Sequence, residues 1–165
     1  MQTFLPYANF EKSARSLDYR RLGKQRVECK QIINALSPDY DKRGWVNHPA
    51  TQMWKGHVDV LKVYSNTMIT EWINRGYNNT MELYDVDVAK LQSDDALPEW
   101  LGHAQLHKSH RMNLLRKDYE FYARLFVDDA VSSTYEIESY PYWWPTENGF
   151  TVNSNLFTKW RVWMN

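Results

Sequence analysis

The spacing of apolar positions predicts a helix near the start of the chain. From about residue 13 to residue 36, apolar side chains recur at helical intervals of seven, four and three residues, at Leu22, Cys29, Ile33 and Leu36. The opposite side of this helix is polar apart from one valine and carries Arg20, Lys24, Val27, Glu28 and Gln31. Gly23 interrupts the pattern and indicates a close approach of another backbone, because glycine weakens a helix by about 1 kcal/mol.

Two more long helices follow in the pattern. The second is predicted over residues 51–75, with a buried stripe of Val58, Leu61, Met68 and Trp72, and Gly76 supplies its left-handed C-terminal stop. The third is predicted over residues 99–117, and a short amphipathic turn over 119–126 follows it. We therefore expect an all-α single compact domain of about three main helices, with the N-terminus packed against them.

The remaining segments lack a clear period. Residues 37–49 form a predicted loop, and residues 78–98 are acidic and fit a short helix within a loop. Residues 127–165 are predicted to be an irregular aromatic extension, loop-like around Pro141 and Pro145. Its last aromatic residues, Phe157, Trp160 and Trp163, are spaced as either a helix or a strand allows.

Composition narrows the class of protein. A chain of 165 residues with eight Trp, eleven Tyr and six Phe can bury a sizeable core as one domain. The single Cys29 excludes an intramolecular disulfide and any two-cysteine zinc motif. The sequence has neither a signal-like N-terminus nor an apolar run long enough for a membrane helix, so we expect a cytoplasmic monomer with no membrane contact.

Charge is balanced in total but segregated along the chain. Residues 1–62 carry eleven Lys or Arg and six acids, a net +5, whereas residues 71–99 carry a net −5. Residues 103–124 return to +3, and residues 125–165 fall to −3. Because local potential steers a polyanion, two basic segments can form a positive groove on a neutral protein. This pattern favours a nucleic-acid partner.

The run from residue 18 to residue 30 is the strongest candidate for chemistry. Arg20, Arg21, Lys24 and Arg26 surround the acid Glu28. The first interpretation is that the basic side chains hold phosphates while Glu28 handles a proton. The second is a solvated helix face on which Lys24 and Glu28 form an ordinary pair of about 0.3–0.5 kcal/mol.

Three histidines share one face of the third helix in an H-x3-H-x2-H pattern, at His103, His107 and His110. Imidazoles at this spacing can bind zinc, but no acid or cysteine stands at ligand spacing, and Lys108 and Arg111 would repel a dication. We therefore predict no metal and no cofactor. The histidines are expected to contact phosphate or to pack against aromatic side chains. Among the predicted DNA contacts are His107 and, as a second phosphate clamp, Lys108 and Arg111.

An aromatic cluster in the extension allows two interpretations. Its members are Tyr140, Tyr142, Trp143 and Trp144. They offer surfaces for base stacking, but we favour packing over the core. The sequence lacks the glycine-rich nucleotide-binding signatures and the G-x-S-x-G hydrolase motif.

Several short motifs, taken together, point to one family. They are Met1-Gln2-Thr3-Phe4-Leu5-Pro6, Arg20-Arg21-Leu22-Gly23-Lys24-Gln25-Arg26-Val27-Glu28, Lys55-Gly56-His57-Val58, Asn74-Arg75-Gly76-Tyr77-Asn78 and Asn113-Leu114-Leu115-Arg116-Lys117. This set resembles a divergent branch of the pyrimidine-dimer DNA glycosylase/AP lyase family, the phage and bacterial endonuclease V of ultraviolet repair. The resemblance covers residues 1–126 and implies a helical domain without metal or disulfide, on which residues 127–165 pack as an extension.

The resemblance also implies a mechanism. Family enzymes attack the sugar C1′ of the damaged nucleotide with the N-terminal α-amine, form an imine and nick the strand by β-elimination. An α-amine has a pKa of about 7.7–8.0, against about 10.4 for lysine, so a useful fraction is neutral near pH 7. Here the nucleophile would be Met1, since Gln2 disfavours removal of Met1, and the catalytic carboxylate matches Glu28.

The implied partner is double-stranded DNA containing a damaged or modified pyrimidine. The predicted DNA contacts are Arg20, Arg21, Lys24, Arg26, Lys55, His57, His107, Lys108 and Arg111. Two departures from the family pattern stand out. Val27 occupies the place of a family arginine, so a phosphate or sugar contact is either lost or supplied by Arg26 or Arg21. The segment before Leu22 is also about five or six residues longer than in the phage enzyme, so we expect catalysis only if Met1 folds back to Glu28.

Two alternatives stay open at this stage. One is a non-catalytic DNA- or RNA-binding module on the same scaffold, and the other is a metal-dependent nuclease built on the three histidines. The distance from the Met1 nitrogen to the Glu28 carboxylate discriminates between catalysis and binding alone. One sugar carbon must bridge it, and a separation above about 8 Å would count against catalysis.

Overall fold

The computed structural model describes residues 1–41, 44–91 and 96–153. Within them the chain forms eight α-helices, one 3-10 helix and one β-hairpin. The elements are α1 Phe10–Ser16, α2 Tyr19–Ala35, α3 Pro49–Gln52, α4 Val58–Asn74, the 3-10 helix Val88–Leu91, α5 Ala104–Lys117, α6 Tyr119–Tyr122, α7 Val127–Ala130, α8 Thr134–Ser139, β1 Tyr142–Thr146 and β2 Gly149–Asn153. The prediction of an all-α fold with three main helices, α2, α4 and α5, is confirmed.

The core lies between α2 and α4, which pack against each other along their lengths. From α2 it takes Leu22, Cys29 and Ile32, and from α4 it takes Leu61 and Met68, all fully buried. These positions recur at helical spacing, so burying one stripe of each helix removes a continuous apolar surface from water. The predicted stripes are thus confirmed in their central members.

The predicted first helix is wrong in one respect, because it consists of two helices. The chain leaves α1 in an extended conformation at Leu17 and re-enters a helix at Tyr19. Asp18 caps α2, its carboxylate accepting from the backbone N–H groups of Arg20 at 3.0 Å and Arg21 at 3.1 Å. A side-chain cap of this kind satisfies amides that a helix start leaves without partners, which fixes the start of α2.

Gly23 allows a close approach, but of an indole rather than a backbone. A Cβ at position 23 would lie 2.9 Å from Trp72 Cζ3 on α4. The Trp72 ring also carries the Arg26 guanidinium 4.0 Å from its centroid and stacks on Tyr77, with ring centroids 4.3 Å apart. Gly23 therefore sets how closely the two core helices approach.

The second and third helices begin later than predicted. Residues 51–57 complete α3 and a turn in which Gly56 has a φ of +83°, and α4 starts only at Val58. The predicted stop of α4 is confirmed, since Gly76 adopts a φ of +81° just beyond it. The third helix starts at Ala104 rather than at residue 99.

The segment predicted to be loop-like contains α7, α8 and a hairpin, so that prediction is wrong for residues 127–153. Strands β1 and β2 pair antiparallel from Tyr142 opposite Asn153 to Thr146 opposite Gly149. Strand β1 packs on α5 and α3, and α8 packs on α5. The aromatic positions predicted near the end of the chain, Phe157, Trp160 and Trp163, lie outside the described residues. Among the described helices, none has the length and apolarity that crossing a bilayer requires.

The contact between Gly23 and Trp72 generates a prediction. Gly23→Ala should lower the free energy of unfolding by about 1–3 kcal/mol, because overpacking against Trp72 outweighs the gain of about 1 kcal/mol in helix propensity. In a Trp72→Leu background the same substitution should become neutral or stabilising. Urea unfolding of the four proteins measures both effects, and stabilisation by Gly23→Ala in the wild-type background would contradict this packing.

Candidate active site

The first five residues run as an extended segment between α2 and α5. Gln2, Thr3, Phe4 and Leu5 are all buried. Since this segment belongs to no sheet, its backbone groups find side-chain partners on the flanking helices. Gln2 and Phe4 hydrogen-bond to a side chain of α2, and Leu5 hydrogen-bonds to side chains of α5.

Gln25 is the centre of the contact with α2. Its Nε2 donates to Gln2 O at 2.8 Å and to Glu28 Oε2 at 3.0 Å. Its Oε1 accepts from Phe4 N–H at 2.8 Å. The Tyr64 hydroxyl lies 2.6 Å from Phe4 O and 2.8 Å from Gln25 Oε1 and can donate its one hydrogen to either. The Gln25 amide is completely buried and fully bonded, so it fixes the register of the segment on α2.

Glu28 faces the chain terminus with one oxygen and is anchored by the other. Oε2 accepts from Gln25 Nε2 and, at 3.3 Å, from Gln2 N–H. Oε1 lies 4.0 Å from the Met1 nitrogen and 3.6 Å from Lys24 Nζ. Glu28 is only 7 % exposed, although the helical pattern places it on the polar side of α2. The Met1–Glu28 separation lies well inside the limit of about 8 Å stated for catalysis.

His48 borders the same amine and was missed in the sequence. It caps α3, its Nδ1 accepting from Ala50 N–H at 3.1 Å. Burial lowers the pKa of His48, the Met1 ammonium lowers it further, and Glu28 raises it. With Nδ1 occupied as an acceptor, the neutral ring carries its proton on Nε2 and is a hydrogen-bond donor. The His48 ring packs edge-to-face against Trp144 of β1, with ring centroids 6.2 Å apart.

Lys117, at the end of α5, adds a cation that the sequence-based site also missed. Burial lowers the pKa of Lys117, and Arg21, Lys24 and Arg116 lower it further, while Glu28 raises it. The Arg21 guanidinium lies over the ring of Tyr122 in α6, 5.7 Å from its centroid, and the Tyr122 hydroxyl donates to Asp18 at the start of α2. The two basic segments therefore meet in space, and Lys117 lies near Arg21 and Lys24 on a positive edge beside Glu28. The run Arg116-Lys117 was visible in the sequence, but nothing in it showed which helix it would face.

The family model described as pyrimidine dimer DNA glycosylase matches residues 1–85. The chain belongs to the pyrimidine dimer DNA glycosylase family. Comparisons with curated proteins and with solved structures found no match. Membership implies DNA glycosylase activity on DNA with pyrimidine damage, and the matched region contains Met1, Gln25, Glu28 and His48.

The glycosylase scaffold brings only some of the predicted DNA contacts to this site. Lys24 is exposed beside Glu28. Arg21 lies on the same edge but pairs with Asp18 at 2.7 Å. Arg20 is exposed at the start of α2, its Nε donating to Tyr19 OH at 2.9 Å.

Arg26 has another role. Its guanidinium stacks on Trp72 and donates to Asn79 Oδ1 at 2.8 Å, and burial lowers its pKa. Val27 is 48 % exposed on α2. Because Arg26 is held against Trp72 of α4, it is not free for the contact that Arg26 or Arg21 was predicted to supply.

Lys55 and His57 line an open groove of about 1320 Å³ between the α3–α4 turn and the hairpin. Lys55 lies 3.5 Å from Glu147 in an exposed pair. Trp100 and Trp144 form part of the groove wall, and the groove reaches Pro49, next to His48. Neither Met1 nor Glu28 lines this groove, so the structure does not bring these two predicted contacts to the amine.

The predicted second clamp is largely engaged inside the fold. His107 is buried, its Nδ1 lying 2.8 Å from Leu5 O while its Nε2 accepts from Gly102 N–H at 2.9 Å, so a phosphate cannot reach it. Arg111 donates to Asp129 and, at 2.9 Å, to Pro6 O. Lys108 sits over the ring of Tyr140, 5.4 Å from its centroid. A role for His107 in DNA binding is thus corrected to a contact with the N-terminal segment.

The three histidines do not converge on a common point. Across residues 1–41, 44–91 and 96–153, no group of three or more His, Cys, Asp or Glu side chains is placed to hold a metal ion. His103 stacks on Phe150, with centroids 4.2 Å apart, while His107 and His110 turn toward Leu5. The aromatic cluster packs over the core, as predicted. Trp144 is part of the core, and Tyr142 stacks on it with ring centroids 5.3 Å apart.

The buried histidines generate a pH prediction. Burial lowers the pKa of both His107 and His110, that of His110 to about 3. An unfolded histidine has a pKa of about 6.5, so below that pH the unfolded chain binds protons that the folded chain does not. Stability should therefore fall as the pH drops from about 6.5 toward 3, with His110 alone contributing about 1.4 kcal/mol per pH unit.

Urea unfolding at a series of pH values measures this effect, with His110→Asn as the matched protein that lacks the titrating ring. The wild type should lose about 2 kcal/mol more than His110→Asn between about pH 6.5 and pH 5. Parallel pH profiles of the two proteins would contradict the assignment of this loss to His110.

Proposed function

We propose that this protein is a DNA glycosylase with AP-lyase activity, in which the Met1 α-amine is the nucleophile and Glu28 the proton-transfer group. The observation that carries the proposal is the distance of 4.0 Å between the Met1 nitrogen and Glu28 Oε1. A nucleophile and a carboxylate at this separation can act on opposite sides of one sugar carbon. Family membership supports the glycosylase half of the reaction.

The chemistry proceeds in balanced steps. The neutral amine attacks C1′ of the damaged nucleotide, and the glycosidic bond between C1′ and the base nitrogen breaks. The base leaves with the electron pair of that bond and takes up a proton. The amine then loses its protons as the C1′–O4′ bond opens, which gives an imine between nitrogen and C1′ and a hydroxyl at O4′. Loss of a C2′ proton expels the 3′-phosphate by β-elimination, and hydrolysis of the imine restores the amine.

Glu28 is arranged for the proton steps. Its Oε2 is fixed by Gln25 and the Gln2 amide, so Oε1 points toward the amine without rotating. Oε1 can deliver a proton to O4′ and accept one from C2′, since both atoms adjoin the carbon that Met1 attacks. Lys24 Nζ pairs with Oε1 at 3.6 Å from the exposed side of α2.

The positive edge beside Glu28 supplies the DNA contacts. Lys24 and Arg21 of α2 meet Lys117 of α5 there, and exposed Arg20 extends the edge along α2. Cations from two helices can hold successive phosphates on either side of the nucleotide at C1′. His48, near enough to the amine for the ammonium to lower its pKa, adds a hydrogen-bond donor to the site.

Borohydride trapping on DNA with an abasic site tests the proposal. The wild type should form a covalent adduct and nick the strand with EDTA present. Glu28→Gln should lower the nicking rate by about 100-fold or more while leaving DNA affinity nearly unchanged, because its amide keeps the anchoring position but cannot carry the proton.

Glu11→Gln is the matched control, since it makes the same chemical change at an exposed position on α1, and it should nick like the wild type. Salt-sensitive DNA binding without adduct or nick over a panel of pyrimidine lesions would instead favour the non-catalytic binding module. Loss of nicking in EDTA would favour the metal-dependent nuclease.

A further inference from the structure

Two histidines of α5 bond to both backbone groups of a single residue in the N-terminal segment. The Leu5 N–H donates to His110 Nδ1 at 2.9 Å, and His107 Nδ1 lies 2.8 Å from Leu5 O. Leu5 is completely buried, four residues from the amine that the proposed function uses. A side-chain pair thus takes the place of a neighbouring β-strand.

The partners of each ring fix its protonation state. His107 Nε2 accepts from Gly102 N–H at 2.9 Å, so its proton is on Nδ1 and is donated to Leu5 O. His110 Nδ1 accepts from Leu5, so its proton is on Nε2, which has no hydrogen-bond partner in the described part of the chain. Both rings must be neutral for these bonds to form.

The surroundings of the two rings favour neutrality. Arg111 lies close to both and lowers their pKa values, although its own charge is paired with Asp129. His103 lies near His107, and the Tyr142 ring meets His110 edge-on, with centroids 5.8 Å apart. Phe4 covers the other edge of His110 at 6.4 Å.

We propose that His107 and His110 are positioning residues that hold the N-terminal segment in the register that places the Met1 amine at Glu28. Extended chain advances by about 3.3 Å per residue, so a slip of one residue would move the amine by about the whole of its present separation from Oε1. Gln25 fixes Gln2 and Phe4 from the side of α2, and the two histidines fix Leu5 from the side of α5.

The choice of side chain argues for this role. A buried histidine with one nitrogen lacking a partner is less favourable than an apolar side chain of similar size. An apolar residue at position 110 would, however, leave the buried Leu5 N–H without an acceptor. The histidine is therefore explained by the bond to Leu5 rather than by filling of the core.

Asparagine and glutamine variants at position 110 separate the bond from the packing. An asparagine amide oxygen reaches the place of Nδ1, whereas the amide of glutamine reaches only the place of Nε2. His110→Asn should keep the slow exchange of the Leu5 amide hydrogen, and in His110→Gln this hydrogen should exchange about tenfold faster or more. His110→Gln should also trap abasic DNA about tenfold more slowly at unchanged DNA affinity, while His110→Asn should trap like the wild type.

A second pair of variants, at position 107, tests the same inference if either His110 variant fails to fold. His107→Asn can still donate to Leu5 O, whereas His107→Gln can only accept from Gly102, so asparagine should again be the better replacement. Equal Leu5 exchange rates in the asparagine and glutamine variants would overturn the inference, and so would equal trapping rates if the wild type forms the adduct.

This inference rests on the proposed function, but the two can fail separately. If wild-type protein forms no adduct with abasic DNA, the N-terminal mechanism is wrong, and the Leu5 exchange rates still decide whether the histidines hold the segment. If the wild type forms the adduct and the paired variants do not differ, only the positioning role is wrong.

Discussion

The fully bonded amide of Gln25 is the interaction on which the candidate site depends. It joins the backbone of the first residues to the carboxylate of Glu28 inside the protein, where water cannot substitute for any of its bonds. Leaving even one such group without a partner costs about 1–3 kcal/mol, so the segment and α2 are held in one arrangement. The chain terminus thereby becomes part of a rigid site, as precise positioning of reacting groups requires.

The rest of the fold supports this arrangement from three sides. Helix α4 backs α2, with Trp72 seated on Gly23, and supplies the Tyr64 hydroxyl beneath the segment. Helix α5 closes the other side through His107 and His110 and brings Lys117 to the edge of the site. Helix α3 and the hairpin complete the border near the amine. The family match ends at residue 85, so α5 and the hairpin lie beyond the matched region.

The three main helices could be predicted from periodicity, because a long apolar stripe at helical spacing must face the core. The break before α2 was missed because Asp18 acts through a cap rather than through hydrophobic spacing. The hairpin was missed because Pro141 and Pro145 favour a loop in the sequence, whereas Pro145 lies within β1, an edge strand that tolerates proline, and the turn falls at Glu147 and Asn148. Charge and resemblance both selected Glu28. The roles of His107 and Arg26 depend on which part of the chain packs against them. The spacing of residues in the sequence does not give that information.

Identification of the amine in the borohydride-trapped adduct tests the central claim most directly. Two other amines stand beside Glu28, those of Lys24 and Lys117, and burial together with neighbouring cations lowers the pKa of Lys117. Tryptic digestion of the trapped complex followed by mass spectrometry assigns the DNA-derived mass to one peptide. We predict that it resides on the α-amine of the peptide Met1–Lys12. An adduct on a peptide containing Lys24 or Lys117, with the N-terminal peptide unmodified, would contradict the account.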